Sequence, residues 1–134
     1  MVTRAEVTVE WANGVHLFAL NGKQIEVLES ECHNPETGKK GIGIGAIWLR
    51  LMSITFYYSD IKNVIRLGLI GGGMGAVEAM RLVNNYVDGV PISSLEQDMS
   101  NPNCPLTLAR VIMSSAFVGI DHGQSPGERE TPEN

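Results

Sequence analysis

A mainly helical α+β fold is what the sequence predicts: an N-terminal β-hairpin packed on a compact array of four to five short helices. Three observations carry that prediction. Alternation of polar and apolar residues, the period of a half-buried strand, is confined to the first twenty residues. Beyond them, apolar residues recur three or four positions apart, the period of a helix with one buried face. Clusters of Gly, Pro, Asn and Asp punctuate the chain between these stretches. Strands and helices are therefore segregated, which excludes a doubly wound alternation of the two.

Glu6 to Trp11 alternates and places Val7, Val9 and Trp11 on one face. Asn13-Gly14 is a strong hairpin signal, and Val15 to Leu20 reads as the return strand. A lone hairpin is marginal in water, so this one must lie on the helices or pair with a strand of another chain. Asn21 is placed to cap a helix over 22–31, with Ile25, Leu28 and Cys32 inward and Glu26 and Glu29 facing water. His33 to Gly41 reads as loop. A second helix covers 44–53, its apolar face formed by Ile44, Ile47, Trp48, Leu51 and Met52, with Arg50 opposite. Phe56-Tyr57-Tyr58 interrupts the pattern. Ser59 is a good N-cap for a third helix over 60–70, with Asp60 as the acid of its first turn and Ile61, Val64, Ile65, Gly68 and Leu69 inward.

Gly71-Gly72-Gly73 ends that helix, because consecutive glycines carry a high backbone entropy cost. The fourth helix runs over 75–87 with Ala76, Met80, Val83 and Val87 inward. Residues 92–99 read as a loose helical turn. The fifth helix runs over 106–118 with Leu106, Ala109, Ile112, Met113, Ala116 and Phe117 inward. The expected organisation is one globular domain over 1–120, with the hairpin in 5–20 and the helices in 22–118. From Asp121 onward Gly, Pro, Ser and Glu dominate, and 121–134 reads as a disordered acidic segment.

At 134 residues there is room for one domain, and a globule of this size buries enough surface to fold without a metal or a disulfide. Ten basic residues against fifteen acidic ones leave a net charge of −5. An acidic chain without a basic stripe is a poor binder of the phosphate backbone, so no nucleic-acid partner is expected. The start lacks the apolar run of a signal peptide, and the apolar stretches are too short to span a membrane. A cytoplasmic location in a reducing compartment is the expectation, and two cysteines do not make a disulfide scaffold.

No catalytic set emerges. Gly41-Ile42-Gly43-Ile44-Gly45 and Gly71-Gly72-Gly73-Met74-Gly75 both precede helices, but neither has the Gly-Lys-Ser/Thr of a P-loop or the strand context of a dinucleotide site. They read as tight turns, and Gly72 in particular as a close-packed, positive-φ position between the third and fourth helices. Cys32-His33, with Cys104 and His122 elsewhere, lacks the paired spacing of a zinc site and names no third group for nucleophilic catalysis. His16 reads as a strand-edge histidine, and the glutamates of 26–31 and 128–133 as solvated faces. No metal, cofactor or catalytic residue is expected. Phe56-Tyr57-Tyr58 cannot all face one core, so at least one should stand partly exposed beside the glycine turn.

Several stretches carry a resemblance. They are Phe18-Ala19-Leu20, Ile25 to Glu29, Gly45-Ala46-Ile47 with Arg50-Leu51, Ile61 to Met74, and Glu78 to Asp88 with Pro91 after it. In this order they resemble the small tail proteins of gene transfer agents and related prophages of alphaproteobacteria. That family is classed with phage tail assembly chaperones and is also labelled tail tube protein. The similarity spans about residues 5 to 119, and the loop from Cys32 to Lys40 departs from it in being longer and more polar.

The resemblance implies a non-enzymatic chaperone that covers the apolar helix of a tape-measure protein until tail tube subunits surround it. The alternative it leaves is a structural tail tube or tail-terminator component, located in the tail of the particle. Partners are then the tape-measure protein, the tail tube protein, or further copies of the chain. Exposed aromatics and adaptable methionines are the contacts such a role would use. The partner-binding candidates are Trp48, Phe56, Tyr57, Tyr58, Met74 and Met80, with Gly71, Gly72 and Gly73 as a structural turn.

Overall fold

The computed structural model describes residues 4–93, 101 and 103–119. The expected turn at 92–99 and the segment 121–134 therefore lie outside the described residues or nearly so. The order of elements is β1 (Glu6–Trp11), β2 (Gly14–Ala19), α1 (Gly22–Glu31), β3 (His33–Asn34), β4 (Lys39–Lys40), α2 (Ile44–Met52), α3 (Tyr58–Gly71), α4 (Ala76–Tyr86) and α5 (Pro105–Phe117). This is the mainly helical α+β architecture that the periodicities predict.

Strands β1 and β2 pair antiparallel from Glu6↔Ala19 to Trp11↔Gly14. The two-residue turn is thus Ala12-Asn13, one position before the expected Asn13-Gly14. Its positive φ falls on Ala12, at 60°, where glycine would be more at ease. Asn13 serves the turn with its side chain instead, its Oδ1 accepting from His16 Nε2 at 2.8 Å. One face of the hairpin buries Val7, Trp11 and Phe18. Trp11 meets Phe18 edge to face at 6.0 Å, a favoured aromatic geometry.

Helix α3 is the centre of the molecule and packs against β2, α1, α4 and α5. Its buried side chains are Asp60, Ile61, Val64, Ile65, Leu67 and Leu69. Gly68 lets α5 and the hairpin approach, because a Cβ there would stand 3.2 Å from Ile112 Cγ2 and 3.3 Å from Phe18 Cδ2. The next glycines are tighter still. A Cβ on Gly71 would lie 1.8 Å from the Ala19 carbonyl oxygen, and one on Gly72 1.9 Å from that of Leu17. In this register Leu17 and Ala19 point their carbonyls away from β1, and the end of α3 lies along that edge.

Two features of the glycine turn differ from expectation. Its close partner is the return strand of the hairpin, not α4. Gly72 has an ordinary φ of −81°, and the left-handed residue is Gly73 at 113°.

Two helix phases and one helix start also differ. In α1, Leu28 and Cys32 are buried as expected, but Gln24 takes the place of Ile25, which is half-buried. Glu29 does not face water: it is half-buried, and its Oε2 accepts the Ile44 N–H at 2.8 Å, putting a carboxylate on the positive end of α2. In α4 the buried residues are Ala79, Leu82 and Val83, followed by Val87, so Ala76 and Met80 are turned outward. Helix α3 begins earlier than expected. Tyr57 is its N-cap, and Asp60 accepts the Tyr57 N–H at 2.8 Å, which leaves Ser59 inside the first turn.

The polar stretch between α1 and α2 is not a plain loop. His33–Asn34 pairs with Lys39–Lys40. Asn34 organises it by accepting from Glu36 N at 2.9 Å and donating to Gly41 O at 2.9 Å.

Candidate docking surface

Helix α2 has the sequence Ile-Gly-Ala-Ile-Trp-Leu-Arg-Leu-Met, in which Arg50 is the only charged residue. An ordinary surface helix would turn that charge to solvent. Here it points inward. Arg50 Nη2 donates to Asp60 Oδ1 at 2.8 Å, and Nη1 donates to His33 O at 2.8 Å. The guanidinium also lies over the Tyr57 ring, 4.9 Å from its centroid. Both charges are buried, with side chains 9% and 0% exposed. The placement of Arg50 opposite the buried face is thereby corrected. Asp60 is correspondingly more than a first-turn acid, because it joins α2 to α3. Lys62, two positions further on, pairs with Asp88 instead, at 3.0 Å.

With Arg50 inside, the solvent face of α2 carries no charge. Gly45, Leu49 and Met52, spaced four and three apart, form an exposed row, and Leu49 is 67% exposed. The row continues beyond the helix into Ile54, which is 90% exposed. Beside the row, Trp48 is half-buried and stacks on Phe117 from the end of α5, at 4.5 Å between centroids and 21° between planes. Val118 extends that edge and is 74% exposed. Helix α2 and the last turn of α5, joined through the Trp48–Phe117 stack, thus both present apolar side chains to solvent. Arg110 fixes the join, its Nε donating to Leu51 O at 2.6 Å and its Nη2 to Ser53 O at 3.3 Å. A cation thus sits on the carbonyl end of α2.

The sequence-derived candidates divide between this surface and other places. Trp48 belongs to it. Phe56 is half-buried against the core. Tyr57 is partly exposed, but its ring is occupied by His33 at 4.9 Å and by Arg50. Tyr58 is partly exposed on another flank. Its hydroxyl donates to Asp88 Oδ1 at 2.7 Å, and Lys62 lies 5.6 Å over its ring, tying the start of α3 to the end of α4. Two of the three aromatics are therefore exposed, but not beside the glycine turn, which closes the far end of the 14-residue α3, about 20 Å away.

Met74 is half-buried against the core. Met80 is exposed and lines a groove of about 260 Å³ with Glu31, Ser59, Lys62, Asn63, Arg66 and Val83, none of them on α2. Leu49, Ile54 and Val118 were not among the candidates, and Phe117 was assigned to the core. The available signal was the composition of α2 itself: with one charge in nine residues, whichever face turns outward must be largely apolar.

Cys32 has no nucleophilic character. It is fully buried, and burial together with the neighbouring Asp60 carboxylate pushes its thiol up to about 12, from an ordinary 9.0. Between those values the unfolded thiol ionises while the folded one stays protonated. Its contribution to stability is therefore complete below about pH 9 and is lost as pH rises from there, with a limiting slope of about 1.4 kcal/mol per pH unit. Denaturant melts at pH 8, 9.5 and 10.5 should show Cys32→Ala losing less stability than the parent chain over that range. Equal losses would mean that the thiol is not protected. The neighbouring His33 ring packs on Tyr57. Among the described residues, no group of three His, Cys, Asp or Glu side chains could hold a metal ion, and no helix is long and apolar enough to cross a membrane.

A family model described as phage tail tube protein, GTA-gp10, matches residues 4–97, more than half of the chain. The match contains the hairpin, the Arg50–Asp60 pair and all of α2, whereas α5 lies beyond it. Comparison with curated proteins and with solved structures gives no match.

Proposed function

The chain belongs to the phage tail tube protein family GTA-gp10, and we propose that it serves tail morphogenesis as a non-enzymatic assembly chaperone, covering an apolar helix of the tape-measure protein until tube subunits enclose it. The observation that carries this reading is the uncharged solvent face of α2. A row of Leu49, Met52 and Ile54 beside the Trp48–Phe117 stack is a ridge onto which a second helix can pack. Fully burying an exposed aliphatic side chain is worth about 1.5–3 kcal/mol, so covering Ile54 and Leu49 contributes most of that range and covering Met52, which is only 39% exposed, well under it, and association itself consumes much of the sum. Binding of that strength is reversible, as a factor that must leave requires.

The family's description favours a second reading, in which the chain remains in the tail as a structural component. Tube subunits close rings through extensive β-sheet. Among the described residues the sheets are the β1–β2 hairpin and the two-residue β3–β4 pair. Quantitative mass spectrometry of purified particles separates the readings. The chaperone reading expects the chain in tail-assembly intermediates and its depletion from finished particles. Stoichiometric amounts in finished particles would overturn it in favour of the structural one.

A further inference from the structure

Met80 is 42% exposed and lines a groove of about 260 Å³ where α3 and α4 meet beside the end of α1. The groove shares no residue with the surface on α2 and α5. Met80 and Val83, three positions apart on α4, form its apolar wall. Helix α3 forms the polar wall, with Lys62 and Arg66 one turn apart.

Two of the charged side chains that line the groove are already balanced. Glu31 pairs with Lys40 at 3.4 Å, and Lys62 pairs with Asp88 at 3.0 Å. Arg66 is different: among the described residues it pairs with no carboxylate. Its Nη2 donates to Asn63 Oδ1 at 3.3 Å. Asn63 is held from the other side, its Nδ2 lying 3.9 Å from the buried Cys32 Sγ. The guanidinium is thereby steadied at the groove with further N–H donors to spare.

Size and charge together decide between occupants. Cavities that enclose small ligands run to about 300–1,000 Å³. This groove is smaller and is open to solvent at Met80, so it suits one large side chain of another protein. A methionine wall adapts to the shape of such a side chain. The unbalanced charge is positive, so its complement is a carboxylate. A second copy is a poor occupant, because each copy carries a net −5 and the two repel.

We propose that this groove is a second docking point, independent of the surface on α2. It takes one large apolar side chain of a protein partner against Met80 and Val83, together with a carboxylate of the same partner on Arg66. Arg66 then chooses the partner by charge, and the methionine wall supplies adhesion.

The test titrates two helical alanine-based peptides into the isotope-labelled full-length chain at low salt. Each peptide carries one Leu and, one turn away, either Glu or Lys. Backbone amide NMR shifts locate the binding. The Glu peptide should move the amides of 59–66 and 80–83 and bind there about tenfold more tightly than the Lys peptide. Arg66→Gln should erase that preference, and Met80→Ser should weaken both peptides. Equal affinity of the two peptides for the groove, or no shifts in the groove at millimolar peptide, would overturn the proposal. Shifts confined to 44–54 would also overturn it while leaving the reading of α2 intact. Groove shifts on concentrating the chain alone would place a second copy there and overturn it as well.

Discussion

Gly71→Ala is expected to lower the melting temperature by about 10 °C, an effect of about 3 kcal/mol from a single methyl group. The added carbon would be placed 1.8 Å from the Ala19 carbonyl oxygen and 2.9 Å from its carbon. Both are backbone atoms, so no rotamer change relieves the clash. Either the end of α3 or the return strand β2 must move. Gly72→Ala faces the same problem against Leu17 O at 1.9 Å. Intrinsic helix propensity acts in the opposite direction, since alanine is favoured over glycine by about 1 kcal/mol within a helix, and the clash outweighs it. Gly45→Ala is the control. It is also a helical glycine, but nothing lies within 4 Å of its Cβ position, so it should be neutral or slightly stabilising. Thermal melts of the three variants decide the point. A Gly71→Ala chain that melts with the parent would mean that the hairpin is not held against α3.

The second large effect belongs to the buried ion pair. Asp60→Ala should cost about 3–5 kcal/mol, because it leaves the Arg50 guanidinium buried without its counter-charge. It also removes the acceptor of the Tyr57 N–H at the start of α3. Arg50→Met should cost less than Asp60→Ala, as the remaining carboxylate keeps that backbone bond. The double variant Arg50→Met/Asp60→Leu should recover much of the loss, since apolar residues of similar size replace such pairs at little cost. Urea melts of the parent, Arg50→Met, Asp60→Leu and the double variant complete the cycle. Additive losses would show that the two charges do not act on one another. The pair also sets the phase of α2, so its single variants should loosen the docking surface along with the fold.

Much of this architecture was legible before any coordinates. Alternation located both strands of the hairpin, and three-four spacing located five helices to within a residue or two at their ends. The chain resemblance pointed to the family that the comparison identifies. What the pattern could not convey was long-range pairing. Arg50 looks like a solvent-facing residue because its partner lies ten positions away, on the next helix. Glu29 looks exposed because the N–H that it receives belongs to Ile44. Once Arg50 turns inward, Leu49 and Met52 turn outward, so the error in one side chain concealed the apolar face.

Helix α4 failed for a different reason. Ala76, Met80, Val83 and Ala79, Leu82, Val83 both satisfy a helical stripe, and only packing against α3 chooses the second. The glycine turn was correctly read as close-packed. Its partner was misplaced because sequence adjacency suggested α4, whereas the contact is with a strand some fifty residues earlier.

If the uncharged face of α2 is where the chain holds its partner, backbone hydrogen exchange will locate it. The full-length protein should be compared alone and mixed with a helical, apolar segment of the tape-measure protein. New protection is expected over 44–54 and at 116–118, with β1 and α4 unchanged. Protection confined to the hairpin or to α4, or none anywhere at saturating peptide, would contradict the account.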